Sequence, residues 1–351
     1  MRYRVLMFGA GGMAHTWLSW FLAETADRCQ VVGLVDADPV PLEKEGRERG
    51  LWPQACFGSI GAALAAVRDG RIQADCAFVV LPPEHHREAI VGAVDAGLHV
   101  LTEKPLAGSW EDCLAIAAAD GGPAKIGVIQ NYRYTAAAMT ARRMLADREL
   151  GEPYFVSVRF RADYREFASW SGPARHRMAS PLLTDAAVHH LDRVRYLTGL
   201  EFTEIACDEW RPPAADGFAG GCCVSLLGRL TGGVRVTYEA NAVCGGEQRS
   251  WTGEEYRVEC ADGALVVLGE QLRVERHTGG ELTVDEVALD PMPRRYHLYA
   301  LDEFLDWLDG GRFDGPTVAD NLQTMRAVTA ALRAAGTHSW VRLDEIEEAR
   351  P

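Results

Sequence analysis

The sequence predicts an α/β Rossmann domain followed by an α+β domain whose large open sheet is mainly antiparallel. Three observations carry this. In residues 1–130, short continuous apolar runs alternate with helical patterns, the mark of parallel strands covered on both faces. Beyond about residue 150, apolar and polar residues alternate singly, as half-exposed strands do. Between the first apolar run and the first helical pattern stands Gly9-Ala10-Gly11-Gly12-Met13-Ala14, a G-x-G-x-x-A turn. At 351 residues the chain exceeds a single core, so two domains are the default. They divide as 1–130 and 131–351, and the C-terminal helices could pack back on the first domain.

Tyr3 to Phe8 is the first strand. Basic residues precede its apolar stretch, as in a signal peptide, but the stretch is too short and runs straight into glycines. Gly12 to Ala26 has helical spacing, and Val31 to Val35 is a buried-type strand ending at Asp36. A polar helix opened by Pro39 and Pro41 follows, then a short apolar helix from Ile60 to Val67. Cys76 to Leu81 is a strand stopped by Pro82-Pro83, and Glu84 to Ala96 is a helix capped by Gly97. His99 to Leu101, Trp110 to Ala119 and Ile126 to Ile129 complete the first domain as strand, helix and strand. Tyr154 to Phe160 opens the second sheet. After it come a loop rich in Trp, Arg and Tyr, a helix carrying Asp185 and His189 that ends near Gly199, and strand-like runs from Ile205 to about Val287. Helices at about 296–309 and 317–335 close the chain. Grouped strands with few helices read as α+β.

Composition narrows function. Hydrophobic residues make up 48% and charged residues 25%, ordinary for a globular protein. A net charge of −14 argues against a nucleic-acid partner and against an anionic membrane surface. No apolar run reaches the roughly 18 residues a membrane helix needs. The nine cysteines are scattered without C-x-x-C or zinc spacing, which suits reduced thiols in a cytoplasm.

The glycine turn reads as a dinucleotide site. Gly9 allows the tight turn, Gly11 admits a pyrophosphate, and Ala14 permits close helix–strand packing. Gly12 and Met13 open the helix, whose free N–H groups and dipole attract phosphate. Asp36, 22 residues after Ala14 (36 − 14), is placed to accept the adenosine ribose hydroxyls. Its charge would repel a 2′-phosphate by ~1–4 kcal/mol at ~4 Å, so NAD is favoured over NADP. Leu81 and Pro82 lie at the carboxyl edge of a strand, where such ligands bind. His85 and His86 read as polar surface residues beside the cofactor.

The acid–base candidates lie further on. Glu103-Lys104-Pro105 follows a short strand, with Glu103 and Lys104 expected at the cofactor, and a cis bond before Pro105 would aim Lys104 into the crevice. A Lys there can donate to a substrate oxygen, and partial burial would make it a workable base. Asp185 and His189 are at i and i+4, about 40° apart on a regular helix. The carboxylate could orient the imidazole, or Thr184 or Asp185 could simply cap the helix. Asp192 falls on the same side. A His with two carboxylates is thin for zinc, and no metal is expected. Tyr132, Arg133, Tyr164, Trp170, Arg177 and Asp192 offer hydrogen bonds and stacking to a polyhydroxylated substrate, without the clustered cations a sugar phosphate would want.

These motifs resemble the Gfo/Idh/MocA oxidoreductase family, which includes glucose–fructose oxidoreductase and inositol dehydrogenase. The resemblance runs from the glycine turn through Ala96-Gly97-Leu98-His99-Val100-Leu101-Thr102-Glu103-Lys104-Pro105 and Asp185-x-x-x-His189-x-x-Asp192 to Asp320-Asn321. Where the family pattern has glycine, this chain has Ala187. The resemblance implies Lys104, Asp185 and His189 as the catalytic set, NAD or NADP as cofactor, and a dimer or tetramer through the open sheet. Hydride transfer on a sugar, cyclitol or glycoside is the leading expectation. The alternatives are glycoside hydrolysis through transient oxidation by NAD, and a nucleotide-binding sensor without activity.

Overall fold

The computed structural model describes residues 2–346. The described residues form two compact units, one of residues 2–131 with His297–Leu322, the other of Tyr132–Tyr296 with residues 323–346.

The first unit holds six parallel strands, β1 (Tyr3–Phe8), β2 (Cys29–Val35), β3 (Cys56–Phe57), β4 (Cys76–Val79), β5 (His99–Thr102) and β6 (Ile126–Val128), in the order β3-β2-β1-β4-β5-β6. This is the doubly wound order of dinucleotide-binding domains. β4 is buried at every position and β1 at all but one, as a sheet covered on both faces requires. Cys56–Phe57 is too short to show in the sequence pattern. The helix after the glycine turn runs from Gly12 but contains a π turn, Trp17–Phe21, before it ends at Glu24.

The second unit holds nine strands: β7 (Pro153–Arg161), β8 (Phe202–Trp210), β9 (Cys223–Leu230), β10 (Arg235–Asn241), β11 (Glu255–Cys260), β12 (Gly263–Leu268), β13 (Gln271–Thr278), β14 (Glu281–Glu286) and β15 (Val341–Arg342). Their order is β14-β13-β12-β11-β7-β10-β9-β8-β15. All pairs are antiparallel except β7 with β10. One face buries Val156, Val158 and Phe160 of β7 with Val236, Tyr238 and Ala240 of β10. The opposite face is charged. Arg159 and Arg161 pair with Glu239 across strands, and Arg257 pairs with Glu259 on its own strand and Glu275 on β13, a ladder of charges that keeps this face wet. The helix Ala187–Thr198 is buried from Ala187 through Leu197 and ends at Gly199, whose φ of 67° makes the left-handed cap. Among the described residues no helix is long and apolar enough to cross a membrane.

Candidate functional site

The cofactor half grows from three strand ends in the first unit. β1, β4 and β5 are neighbours and all parallel, so their carboxyl ends bring the glycine turn, Val80-Leu81-Pro82 and Glu103-Lys104 together at the point where strand order reverses. Gly9 has φ +110°, and a Cβ there would lie 2.2 Å from the Val80 carbonyl oxygen and 2.9 Å from the Ala14 Cβ. Only glycine fits. Gly11, Gly12 and Met13 are exposed, and no side chain caps the helix start at Gly11. The first N–H groups are thus left for an anion. Asp36 accepts the Ala10 N–H at 2.8 Å and the Asp38 N–H at 2.9 Å. It braces the turn and sets a carboxylate at the end of β2. This cradle fits a dinucleotide: glycine where a side chain would collide, open amides at a helix start, and an acid one strand over.

Two residues expected at this cofactor site are committed elsewhere. His86 is fully buried, not at the surface. Its Nε2 lies 2.9 Å from the Leu81 carbonyl oxygen and its Nδ1 3.3 Å from that of Leu106. Burial holds its imidazole below the ordinary pKa, with the Leu81 carbonyl opposing. It is a strut behind the 81–86 turn. Glu103 is buried too. It accepts Trp17 Nε1 at 2.8 Å and the Lys104 N–H at 3.3 Å, and it lies 3.2 Å from His297 Nε2. Burial pushes its pKa up, but His297 and Trp17 overcome this and hold it below the usual carboxylate value. The carboxylate anchors the backbone beside Lys104. Lys104 is half-buried and joined to Pro105 by a cis bond.

The His189 half lies in the second unit. Asp185 sits in a π turn, Leu182–Ala186, and the α-helix begins only at Ala187. Asp185 is therefore inside the helical segment, not its cap, and the 40° offset of a regular helix does not carry over, because a π turn takes more residues per revolution. Asp185 Oδ2 accepts Arg175 Nε at 2.6 Å. Tyr132 stacks on the His189 ring at 4.4 Å and 18°, and burial pushes the Tyr132 hydroxyl pKa up. Trp251 meets His189 edge-on at 6.5 Å. Tyr164 stacks on Trp170 at 4.9 Å and accepts the Trp251 indole N–H. Trp170 is only 2% exposed. Arg177 is exposed over the Phe167 ring.

Arg133 and Asp192 depart from the expected substrate contacts. They form a buried, bidentate pair, Nε to Oδ2 at 2.7 Å and Nη2 to Oδ1 at 2.5 Å. Thr324 Oγ1 also donates to Asp192 at 2.9 Å. The pair locks the helix that carries His189. Sequence reasoning missed Trp17, His297, Arg175, Trp251 and Glu254. A Trp in a glycine-rich stretch, Gly245 to Gly253, was the one local signal for Trp251.

Residues 3–121 match the NAD-binding Rossmann fold of the Gfo/Idh/MocA oxidoreductase family, and residues 142–343 match its C-terminal alpha/beta domain. The chain belongs to the Gfo/Idh/MocA oxidoreductase family. This oxidoreductase is 30% identical to the protein y4oX of Sinorhizobium fredii, over 98% of its own length and 97% of that chain. It is 24% identical to the D-apiose dehydrogenase of Paraburkholderia graminis, over 100% of its length and 92% of the relative's. In fold it is similar to an Agrobacterium radiobacter oxidoreductase solved with NAD+, L-tartaric acid and magnesium. That likeness has a TM-score of 0.81 at 19% identity and covers 99% of this chain and 100% of the other. The first unit is thus an NAD-binding Rossmann domain in an oxidoreductase, as its strand order and glycine turn require.

Proposed function

We propose that this oxidoreductase transfers a hydride between NAD and a ring hydroxyl or ketone of a sugar, cyclitol or glycoside. Lys104 and His189 are the acid–base groups, and Asp185, held by Arg175, orients His189. The observation that carries this reading is Lys104 itself. It follows the carboxyl end of β5, two strands from the glycine turn, on a backbone anchored by buried Glu103. The nicotinamide supplies the hydride acceptor when bound. Oxidising a CH–OH group also releases the hydroxyl proton, and a half-buried Lys at that strand end is placed to take it. Gly11, Gly12 and Met13 would hold the pyrophosphate, and Asp36 the ribose. The similarity to a D-apiose dehydrogenase supports a neutral sugar as the substrate class. Self-association through the second sheet's open face would bring its Arg–Glu ladder and the exposed Leu227 into the contact.

Screening free sugars, inositols, glycosides and sugar phosphates with NAD, read by absorbance of the reduced cofactor, tests the reading. Turnover confined to phosphorylated compounds would contradict it. Asp36 adds a second expectation. NAD should bind tighter than NADP by at least ~1 kcal/mol, from repulsion of the 2′-phosphate. Fluorescence titration of both cofactors checks this, and Asp36→Ser with Ala37→Arg should narrow the gap. Equal affinities in the parent chain would remove Asp36 from cofactor selection.

A further inference from the structure

We infer that Trp251 is the specificity-determining wall of the substrate site, laying its indole against the apolar face of a cyclic polyol beside His189. The inference rests on the reading just proposed and adds the residue that favours a ring over an open chain. Its starting point is backbone strain. Trp251 and Thr252 have φ of 22° and 74°, the only successive non-glycine residues with positive φ among the described residues. Bulky and β-branched residues tolerate this region poorly. Such strain persists where surrounding structure fixes both ends, and it collects at ligand clamps.

Both ends are fixed here. Upstream, Arg249 and Arg161 exchange two backbone hydrogen bonds of 2.7 Å. Across the turn, the Gly253 N–H reaches the Ser250 carbonyl at 2.9 Å. Downstream, the fully buried Glu254 lies 3.5 Å from His190 Nε2, and His190 Nδ1 is 2.9 Å from the Tyr238 hydroxyl. Burial raises the Glu254 pKa, yet His190 and Arg193 bring it below the ordinary value. His190 is the chain neighbour of His189. The turn is therefore tied to the helix that carries the proposed acid–base group.

What the clamp holds is an indole. Its N–H is engaged by Tyr164, Phe160 meets it edge-on at 5.0 Å, and Trp170 lies at 5.8 Å. Trp170 is buried behind it, whereas Trp251 stays partly exposed. Trp251 rather than Trp170 thus has a surface to offer. The face of an indole is electron-rich and apolar. One face of a pyranose or cyclitol is a patch of C–H groups, flat enough to lie on it, while its hydroxyls point to the rim. An open-chain polyol has no such face and must lose more conformational freedom to match it.

The test is a comparison of Trp251→Ala with the parent enzyme on cyclic and acyclic polyols. KM for a cyclic substrate should rise by about tenfold or more, with kcat held within about threefold and acyclic substrates little changed. Unchanged KM for the ring, or equal rises for ring and open chain, would overturn the inference while leaving the hydride-transfer reading intact. Parent enzyme that reduces NAD with no polyhydroxylated compound would instead overturn that reading, and this inference with it. If the alanine variant does not fold, Trp251→Phe decides. Adding the cyclic substrate with NADH should shift the tryptophan emission of the parent and not of the variant. An identical shift in both would place the sugar elsewhere.

Discussion

Lys104→Ala is expected to lower turnover by about 10²–10⁴, the usual scale for losing a general acid–base group, while NAD binding is nearly unchanged. The separation follows from where the parts lie. In the proposed site the glycine turn and Asp36 would hold the cofactor with backbone amides at the end of β1 and a carboxylate at the end of β2, and the Lys104 side chain is not one of these groups. Anchoring of the segment also survives, since Glu103 is fixed by Trp17 and His297 and accepts the backbone N–H of Lys104, contacts that the substitution leaves in place. Stopped-flow turnover beside a fluorescence titration of NAD reads both quantities. Activity within a few-fold of the parent would take Lys104 out of the chemistry. A parallel loss of NAD affinity would make it a cofactor ligand.

Arg133→Ala is expected to cost about 3–5 kcal/mol of stability, as breaking one partner of a buried ion pair does. Asp192 is 1% exposed, and the variant would leave its carboxylate with Thr324 at 2.9 Å and Arg195 at 3.7 Å. Those contacts place the loss toward the lower end of the range. Replacing both partners, Arg133→Met with Asp192→Leu, should recover much of the loss, because no buried charge then lacks its partner. Denaturant unfolding of the parent and the two variants measures this. If Arg133→Ala instead raised KM at unchanged stability, the pair would be a substrate contact after all.

Much of the fold was legible because its signals are local. Continuous apolar runs such as Cys76 to Val79 betray a buried parallel strand, and alternation through β7 betrays a half-exposed one. Gly9 could be read as obligatory because a tight turn at a strand end forces a positive φ and a close approach. Lys104 could be placed after the carboxyl end of a parallel strand, where ligands collect in such sheets.

What tertiary structure alone decided involves partners far apart in sequence. Arg133 finds Asp192 across 59 residues, and Trp17 finds Glu103 across 86. No periodicity marks either pair. Polar residues that looked available for ligands were instead satisfying one another, since a buried charge must be paired. The π turn at Leu182–Ala186 is invisible locally, so the regular-helix geometry assigned to Asp185 and His189 failed, and Arg175 entered as the partner of the acid. The sequence by itself determined the longer strands, the cofactor turn and the chemistry-bearing residue types, but not the two-residue strands Cys56–Phe57 and Val341–Arg342. Packing decided which of those side chains are struts and which remain available, because only burial reveals where water is excluded.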